Sequence, residues 1–396
     1  MKICILTPRF PMPENGGDVL RINNIARYLK AKGHELILVS FCERDYDMEA
    51  AQRLYDKVYT VRRRGFVSMF YAGWFWLQGK PIQCGYYFSP SFDRLFRKVV
   101  KEECPDRYIA HLLRMVPYLE RNRLQQNSEV EMTDALSKTY DMSAGAKGGR
   151  LKRHIYNIEK KLIRRFEQHV LCSFPKVILV SQADIDYLCL SAKRKWHSLA
   201  LCTNGVECGE LPTMKYDALK LCFIGNMRTL QNQDAVFYFV EKIFPLIQKE
   251  LPAVKFYIIG AEPPYQIQEL EKKGNIVVTG FVEDMAEVIS DVCLTVAPVR
   301  VAAGIQNKVL VAMANGLPVV MTSVISQAIP EAKHEENCLI CDDAKDFAAA
   351  CLQVIRNGEL RNRLAKNGYN MVARHYSWNE KLEGYENFAV VQKEKI

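Results

Sequence analysis

The sequence opens without the long apolar run of a signal peptide: MKICILTPRF passes straight into a strand-like segment. That absence predicts a cytoplasmic location. No GxGxxG follows the first strand, which argues against a dinucleotide-binding dehydrogenase. Repeats and low-complexity tracts are missing too. Cysteine is plentiful at thirteen, but zinc-ligand spacing is not there: the one close pair, Cys338 and Cys341, has no second pair or histidine at the required distance. Others, such as Cys4, Cys222 and Cys293, sit in apolar runs where a reduced thiol packs as a small hydrophobe. No metal is expected.

What is present is the composition of an ordinary globular protein, 49% apolar and 25% charged, in a chain of 396 residues that is long enough for two domains. The net charge of +9 is modest for this length. Its basic residues are interleaved with acids and no recognised binding motif accompanies them, so nucleic acid is not expected as a partner.

The stretch Leu294–Thr322, LTVAPVRVAAGIQNKVLVAMANGLPVVMT, reads as strand, loop, helix and strand. LTVAP is a short apolar run ended by Pro298. Gln306–Ala314 has helix-forming composition, and Asn315-Gly316 supplies its stop. Gly304 therefore sits just before a helix N-terminus, where glycine lets backbone approach a ligand and the unpaired first-turn N–H groups attract an anion. Lys308, one turn in, adds a full positive charge. This pattern suits a phosphate or pyrophosphate; the plainer alternative is that Gly304 only turns the chain within a βαβ unit and Lys308 is solvated.

Elsewhere the same alternation recurs. Lys2–Thr7 is a strand, PRFPMPENGGD a loop, Val19–Ala31 helical, and Leu36–Phe41 a second strand, which makes a βαβ opening. Phe66–Leu77, FVSMFYAGWFWL, is the most aromatic stretch and follows Arg62-Arg63-Arg64; at twelve residues it is too short to span a bilayer. The favoured reading puts it in the core or under a long loop. The alternative is a membrane-surface contact. From Arg150 to Val170, apolar residues at Leu151, Ile155, Ile158, Leu162, Phe166 and Val170 form one helical stripe. Arg150, Lys152, Arg153, Lys160, Lys161, Arg164 and Arg165 crowd the rest of that helix, which reads either as a solvated face or as a contact for anionic lipid headgroups. Pro175–Ser181 is a short strand ending in a helix-capping Ser-Gln-Ala-Asp. After the turn Thr203-Asn204-Gly205-Val206 the order repeats: strand Leu221–Gly225, helix Ala235–Lys249, strands Val254–Gly260 and Ile276–Thr279, and helix Met285–Ile289. Such alternation means doubly wound α/β domains.

AAGIQNKVLVAMANGLPVV resembles the donor-binding element of GT-B-fold glycosyltransferases of family 4, and is especially similar to a subgroup of exopolysaccharide sugar transferases. The resemblance implies an α/β fold of GT-B architecture, with two Rossmann-like doubly wound domains facing across a cleft. It further implies an acceptor-side domain at 1–205, a nucleotide-sugar donor domain at 206–375, and a helix at 376–396, starting near His375-Tyr376-Ser377-Trp378, that crosses back to the first. Donor contacts are expected from Gly304, Ile305, Gln306, Asn307, Lys308 and Val311, and from Gly225, Asn226 and Arg228. The broad family carries two glutamates where Ala303 and Val311 stand here, the second binding ribose, and an arginine and a lysine where Asn226 and Asn232 stand. By the same resemblance Gly16, Gly17 and Arg21 belong to an acceptor or cleft loop, and His111, Arg114 and Asp134 to the catalytic polar groups near the transferring sugar; a structural role is the alternative for the lone histidine.

The activity implied is transfer of a sugar from a nucleotide diphosphate donor to a lipid-linked or polysaccharide acceptor, with retention and without a metal or other cofactor, at the inner face of a membrane. Two rival readings keep the fold. One is a degenerate GT-B protein acting as a non-catalytic partner, for which Val311 is the sign; the other is a nucleotide-sugar epimerase or hydrolase, which needs more acid and base carboxylates than the motifs supply.

Overall fold

The computed structural model describes residues 1–14, 17–42, 48–143, 150–193, 196–212, 215–282, 284–300 and 306–387, without side chains at 141–143 and 150–156. The chain divides into two compact units, Met1–Thr203 with Leu382–Ile396, and Asn204–Lys381.

The first unit holds a seven-stranded sheet of β1 (Lys2–Thr7), β2 (Glu35–Cys42), β3 (Lys57–Arg62), β4 (Arg107–His111), β5 (Ser128–Thr133), β6 (Lys176–Leu179) and β7 (Leu199–Leu201). Its order is β3-β2-β1-β4-β5-β6-β7, and every pairing is parallel. Strands buried on both faces must be apolar throughout, which is why Ile3, Cys4, Ile5 and Leu6 are all fully buried. Order runs outward from β1 in both directions, so the sheet reverses between β1 and β4. Loops at the carboxyl ends of two such strands diverge to opposite faces and leave a crevice for a ligand.

The second unit repeats the plan with β8 (Asp217–Ile224), β9 (Lys255–Ile259), β10 (Ile276–Gly280), β11 (Val292–Ala297), β12 (Val319–Met321) and β13 (Leu339–Ile340). Its order is β10-β9-β8-β11-β12-β13, again all parallel, with the reversal between β8 and β11. The helix expected at Ala235–Lys249 starts earlier, at Leu230, and passes through a π-helical segment, Phe239–Ile243, before resuming at Phe244–Glu250. Pro245 accounts for the interruption, since proline offers no N–H to the preceding turn.

Three other expectations change. The Phe66–Leu77 stretch is a helix, Gly65–Leu77, that buries only Ser68, Ala72 and Phe75 and leaves most of its aromatic residues in solvent. Phe75 joins the unit's core and Tyr71 packs against it, so only the inner face of the helix is a core element. The Arg150–Ser173 helix does bury Leu162, Phe166 and Val170, but two carboxylates share its inner face. Glu159 accepts from the Ile82 and Gln83 backbone N–H groups, at the start of the Ile82–Tyr86 helix, and Glu167 from the Ser137 N–H and hydroxyl. Burial pushes the Glu167 carboxyl up to about 7, with the Ser137 bonds opposing. Finally, Ser181 occupies the start of the Gln182–Ala192 helix without making the side-chain cap its type predicts.

Near the end of the chain, Trp378–Lys381 forms a four-residue helix and turns follow; residues 388–396 lie outside the described residues. Val206 pairs with Tyr376 and Trp378 through its backbone, and a Cβ on Gly205 would come within 2.6 Å of the Trp378 backbone. Only glycine admits that approach. The tail is then bound within the first unit by Tyr385, whose hydroxyl donates to Glu131, and by Glu386, which accepts from Tyr28.

Candidate functional site

In the second unit the reversal point is built by the loop after β8 and the helix Asn307–Ala314 that follows β11. Gly225 comes directly after β8, and its carbonyl oxygen lies so close to Gly260, directly after β9, that a Cβ at Gly260 would sit 1.9 Å from it. Gly260 also has a φ of +148°. Two glycines thus let neighbouring loops touch at the mouth of the sheet.

Asn232 is buried where this loop becomes a helix. It donates to the Asn226 carbonyl at 2.8 Å and accepts from the Lys308 ammonium. Lys308 also lies 4.9 Å from the Phe223 ring centroid. No ion pair to Lys308 occurs among the described residues. Desolvation pushes its pKa down to about 8. Gln306 precedes the helix without a side-chain cap on the first-turn N–H groups, and its amide accepts from Gln231 at 3.4 Å. An uncapped helix start beside a half-buried ammonium that lacks a carboxylate is a place for an anion.

The remaining donor-side residues are less uniform. Gly304 and Ile305 lie outside the described residues, as does Ala303. Asn307 is exposed at the helix start. Arg228 is exposed and pairs with Glu262, so its charge is already answered in part. Asn226 turns its side chain to the Arg228 N–H at 2.9 Å. Val311 is partly buried and packs against the unit's core.

In the first unit the reversal point carries His111, the last residue of β4, and the start of the helix Gly17–Ala31. His111 is buried, and among the described residues neither ring nitrogen makes a hydrogen bond of good geometry. Desolvation dominates its titration, Asp18 opposes, and Arg21 and Arg9 reinforce; the result is a pKa pushed down to about 3 and a neutral ring. Two residues at the ends of neighbouring strands are left-handed without being glycine: Leu112, directly after β4, has φ +71°, and Thr133, the last of β5, has φ +68°. Such strain collects at functional sites. It has no sequence signature, because nothing in the residue types announces it.

Arg21 is a correction. It is 0% exposed, and its guanidinium meets Glu131 at 2.9 Å while Tyr385 donates to the same carboxylate at 2.9 Å. A buried arginine answered in this way holds the unit together and does not line an acceptor loop. The clue was the strand SEVEMT, where Glu129 and Glu131 alternate on one face and are both buried. Gly17 opens the helix with nothing within 4 Å of where a Cβ would stand, so no steric demand selects glycine there, and Gly16 lies outside the described residues. Arg114 is drawn to Gln83 at 3.1 Å and to the Tyr87 ring. Asp134 is at the surface after β5, its carboxyl raised by partial desolvation and by Asp184, with Arg21 and Lys138 opposing.

Comparison with known proteins finds likenesses for part of the sequence and for the whole fold. Residues 218–357 match the family model described as glycosyl transferases group 1. The whole chain superposes on Alr3699/HepE of Anabaena in complex with UDP, with a TM-score of 0.64 and 14% identity over 98% of this chain and 100% of that one. The chain has the GT-B fold of these structures, and its residues 218–357 carry the group 1 glycosyl transferase domain. A TarM mutant of S. aureus, in complex with fondaparinux, alpha-GlcNAc-glycerol and UDP, superposes on this chain with a TM-score of 0.67 and 13% identity, covering 98% and 99% of the two chains. An uncharacterized 44.6 kDa protein in the cps region of Klebsiella pneumoniae is 23% identical to it over 95% of this chain and 96% of the relative. Among the described residues no helix is long and apolar enough to cross a membrane.

Proposed function

We propose that this protein is a glycosyltransferase that moves a sugar from a nucleoside diphosphate donor, held at the reversal point of the second unit, to a lipid-linked or polysaccharide acceptor. The observation that carries the donor assignment is the Lys308 ammonium, half-buried, without a carboxylate partner among the described residues and beside an uncapped helix start. A diphosphate supplies the missing negative charge as a ligand, and more of it as a leaving group. Support for uridine as the base comes from the UDP in the HepE and TarM complexes. Support for a polysaccharide product comes from the capsule-region relative.

The reading assigns no resident cofactor and no metal, since Lys308 and the helix dipole carry the charge stabilisation. In the first unit a neutral His111 is the polar group we assign to the sugar or acceptor, as a hydrogen-bonding ring and not as an acid. Retention of anomeric configuration and a place at the inner face of the cell membrane complete the proposal.

Thermal-shift measurements with UDP, GDP and uridine test the donor site. Stabilisation by a nucleoside diphosphate and none by its nucleoside supports the reading; no shift with any diphosphate sinks it. Transfer assays with UDP-sugars and the product's anomeric NMR signal then test catalysis and retention. Val311, where the resembling family has glutamate, favours a second reading in which the donor binds but no sugar moves. Binding without turnover on any UDP-sugar is its signature.

A further inference from the structure

The Gly65–Leu77 helix is fixed from below and bare above. Its inner residues pack on the Ile82–Tyr86 helix so closely that a Cβ on Gly85 would fall 2.3 Å from the Tyr71 carbonyl oxygen. Its outer surface shows Phe66 at 86% exposure, Met69 at 67%, Phe70 at 60%, Trp74 at 49% and Leu77 at 75%. Single exposed apolar residues are commonplace, but a cluster of this size on one helix marks a contact with an apolar phase.

The surroundings are basic. Arg62 and Arg64 are exposed immediately before the helix, and Lys80 immediately after it. Phe70 and Trp74 form one wall of a cavity of about 690 Å³, whose other walls include Lys80, Arg94, Arg97 and Arg121. The Asp93 carboxylate, itself buried, pairs with Arg97 and, at 3.4 Å, with Arg121, and also accepts from Asn122 at 3.2 Å. It thereby steadies two guanidiniums at the cavity. Arg94 has no hydrogen bond or ion pair among the described residues. Four cations against the carboxylates of Asp93 and Glu120 leave the cavity positive.

We propose that this helix lies in the interface of an anionic phospholipid bilayer and that the cavity beside it receives the phosphate of one lipid headgroup. The proposal deepens the acceptor side of the function above and takes its biological purpose from that reading, while its physics is independent of the donor site. Aromatic side chains at the mouth suit the boundary between acyl chains and headgroups, and arginines behind them match a phosphate. A purely soluble anion would use the cations but leave the exposed aromatics without a partner.

The test is flotation of the full chain with vesicles of phosphatidylglycerol and phosphatidylcholine in equal parts, compared with phosphatidylcholine alone, with thermal shift by UDP as a control on folding. Wild type should float with the anionic vesicles and not with the neutral ones. The double variant Phe70→Ser, Trp74→Ser should bind at least about tenfold more weakly, from lost apolar insertion. Arg94→Ala should weaken binding to anionic vesicles about fivefold, the effect of one basic residue near such a surface. All three proteins should keep the same UDP shift, so loss of that shift in wild type would count against the donor site and not against the lipid site. Equal binding to neutral vesicles would overturn the phosphate assignment. No flotation of wild type, or variants that float like wild type, would overturn the whole proposal, as would a solution dimer abolished by the double variant, which would make this face an interface between copies of the chain.

Discussion

The two units have the same sheet plan, and each places a cation from an early helical turn near its reversal point, yet the two cations have different fates. Arg21 meets Glu131 and is closed off from solvent, whereas Lys308 meets an amide oxygen and, among the described residues, no carboxylate. Topology brings polar residues to the carboxyl ends of the strands in both cases. What separates a structural charge from a ligand site is whether the protein supplies the counter-charge. Where it does, the pair is an anchor; where it does not, the protein is prepared for an anion.

The sharpest way to break this contrast is Glu131→Ala. Leaving Arg21 buried and uncompensated should cost about 3–5 kcal/mol of stability, read by denaturant unfolding. A loss below about 1 kcal/mol, the range of an exposed pair, would mean that Arg21 reaches solvent and belongs to a site after all. The matching change in the second unit, Lys308→Ala, should instead spare stability and weaken UDP binding by about 1.5–3 kcal/mol, with little effect on uridine. Isothermal titration decides it: an equal loss for both ligands would remove the phosphate from Lys308.

The same contrast has a pH signature. Folding lowers the pKa of Lys308 from 10.5 to about 8, so the charged form is the one folding disfavours. Its burial therefore costs stability below about pH 8, and that cost fades as pH rises from 8 towards 10.5. Affinity for UDP moves the other way: it should hold below pH 8, decline above it as the free ammonium is lost, and become flat in Lys308→Ala. A wild-type profile without that decline would show that the ammonium does not face the diphosphate.

Val311→Glu sharpens the donor side further. Val311 lies one turn beyond Lys308 and is only partly buried. A carboxylate there should tighten UDP binding about tenfold by accepting from the ribose hydroxyls, and should give no gain for the 2′,3′-dideoxy analogue. A misfolded or unimproved variant would place Val311 in packing alone. The smallest expected effect is that of Asn232→Ala, which removes one hydrogen bond to Lys308 and should lower UDP affinity by about 0.5–1.5 kcal/mol, a few-fold, by titration. No change would leave Asn232 as a loop brace for Asn226 only.

Most of the framework was legible. Lys2–Thr7 and Met285–Ile289 have the bounds their apolar and helical patterns imply, and the stretch around Asn307–Ala314 runs strand, helix, strand as read. The proposed anion site is legible only where one local segment supplies it, as at Lys308. Arg21 was misplaced because its loop context resembled a ligand loop while its partner lies on β5. The core reading of the Gly65–Leu77 helix holds for its inner face alone, because apolar composition states what a segment avoids and not which neighbour covers it. No composition could reveal that just Ser68, Ala72 and Phe75 become buried.

The sequence by itself therefore determined the alternation of strands and helices, and with it two parallel doubly wound sheets, since these follow from periodicity over a few residues and from glycine and proline at the breaks. The tertiary structure alone decided which charges are answered. Arg21 and Glu131 are 110 residues apart, Glu131 and Tyr385 are 254 apart, and Lys308 and Asn232 are 76 apart. Charge pairing depends on separations of a few ångströms, and only the folded chain sets distances between such remote positions.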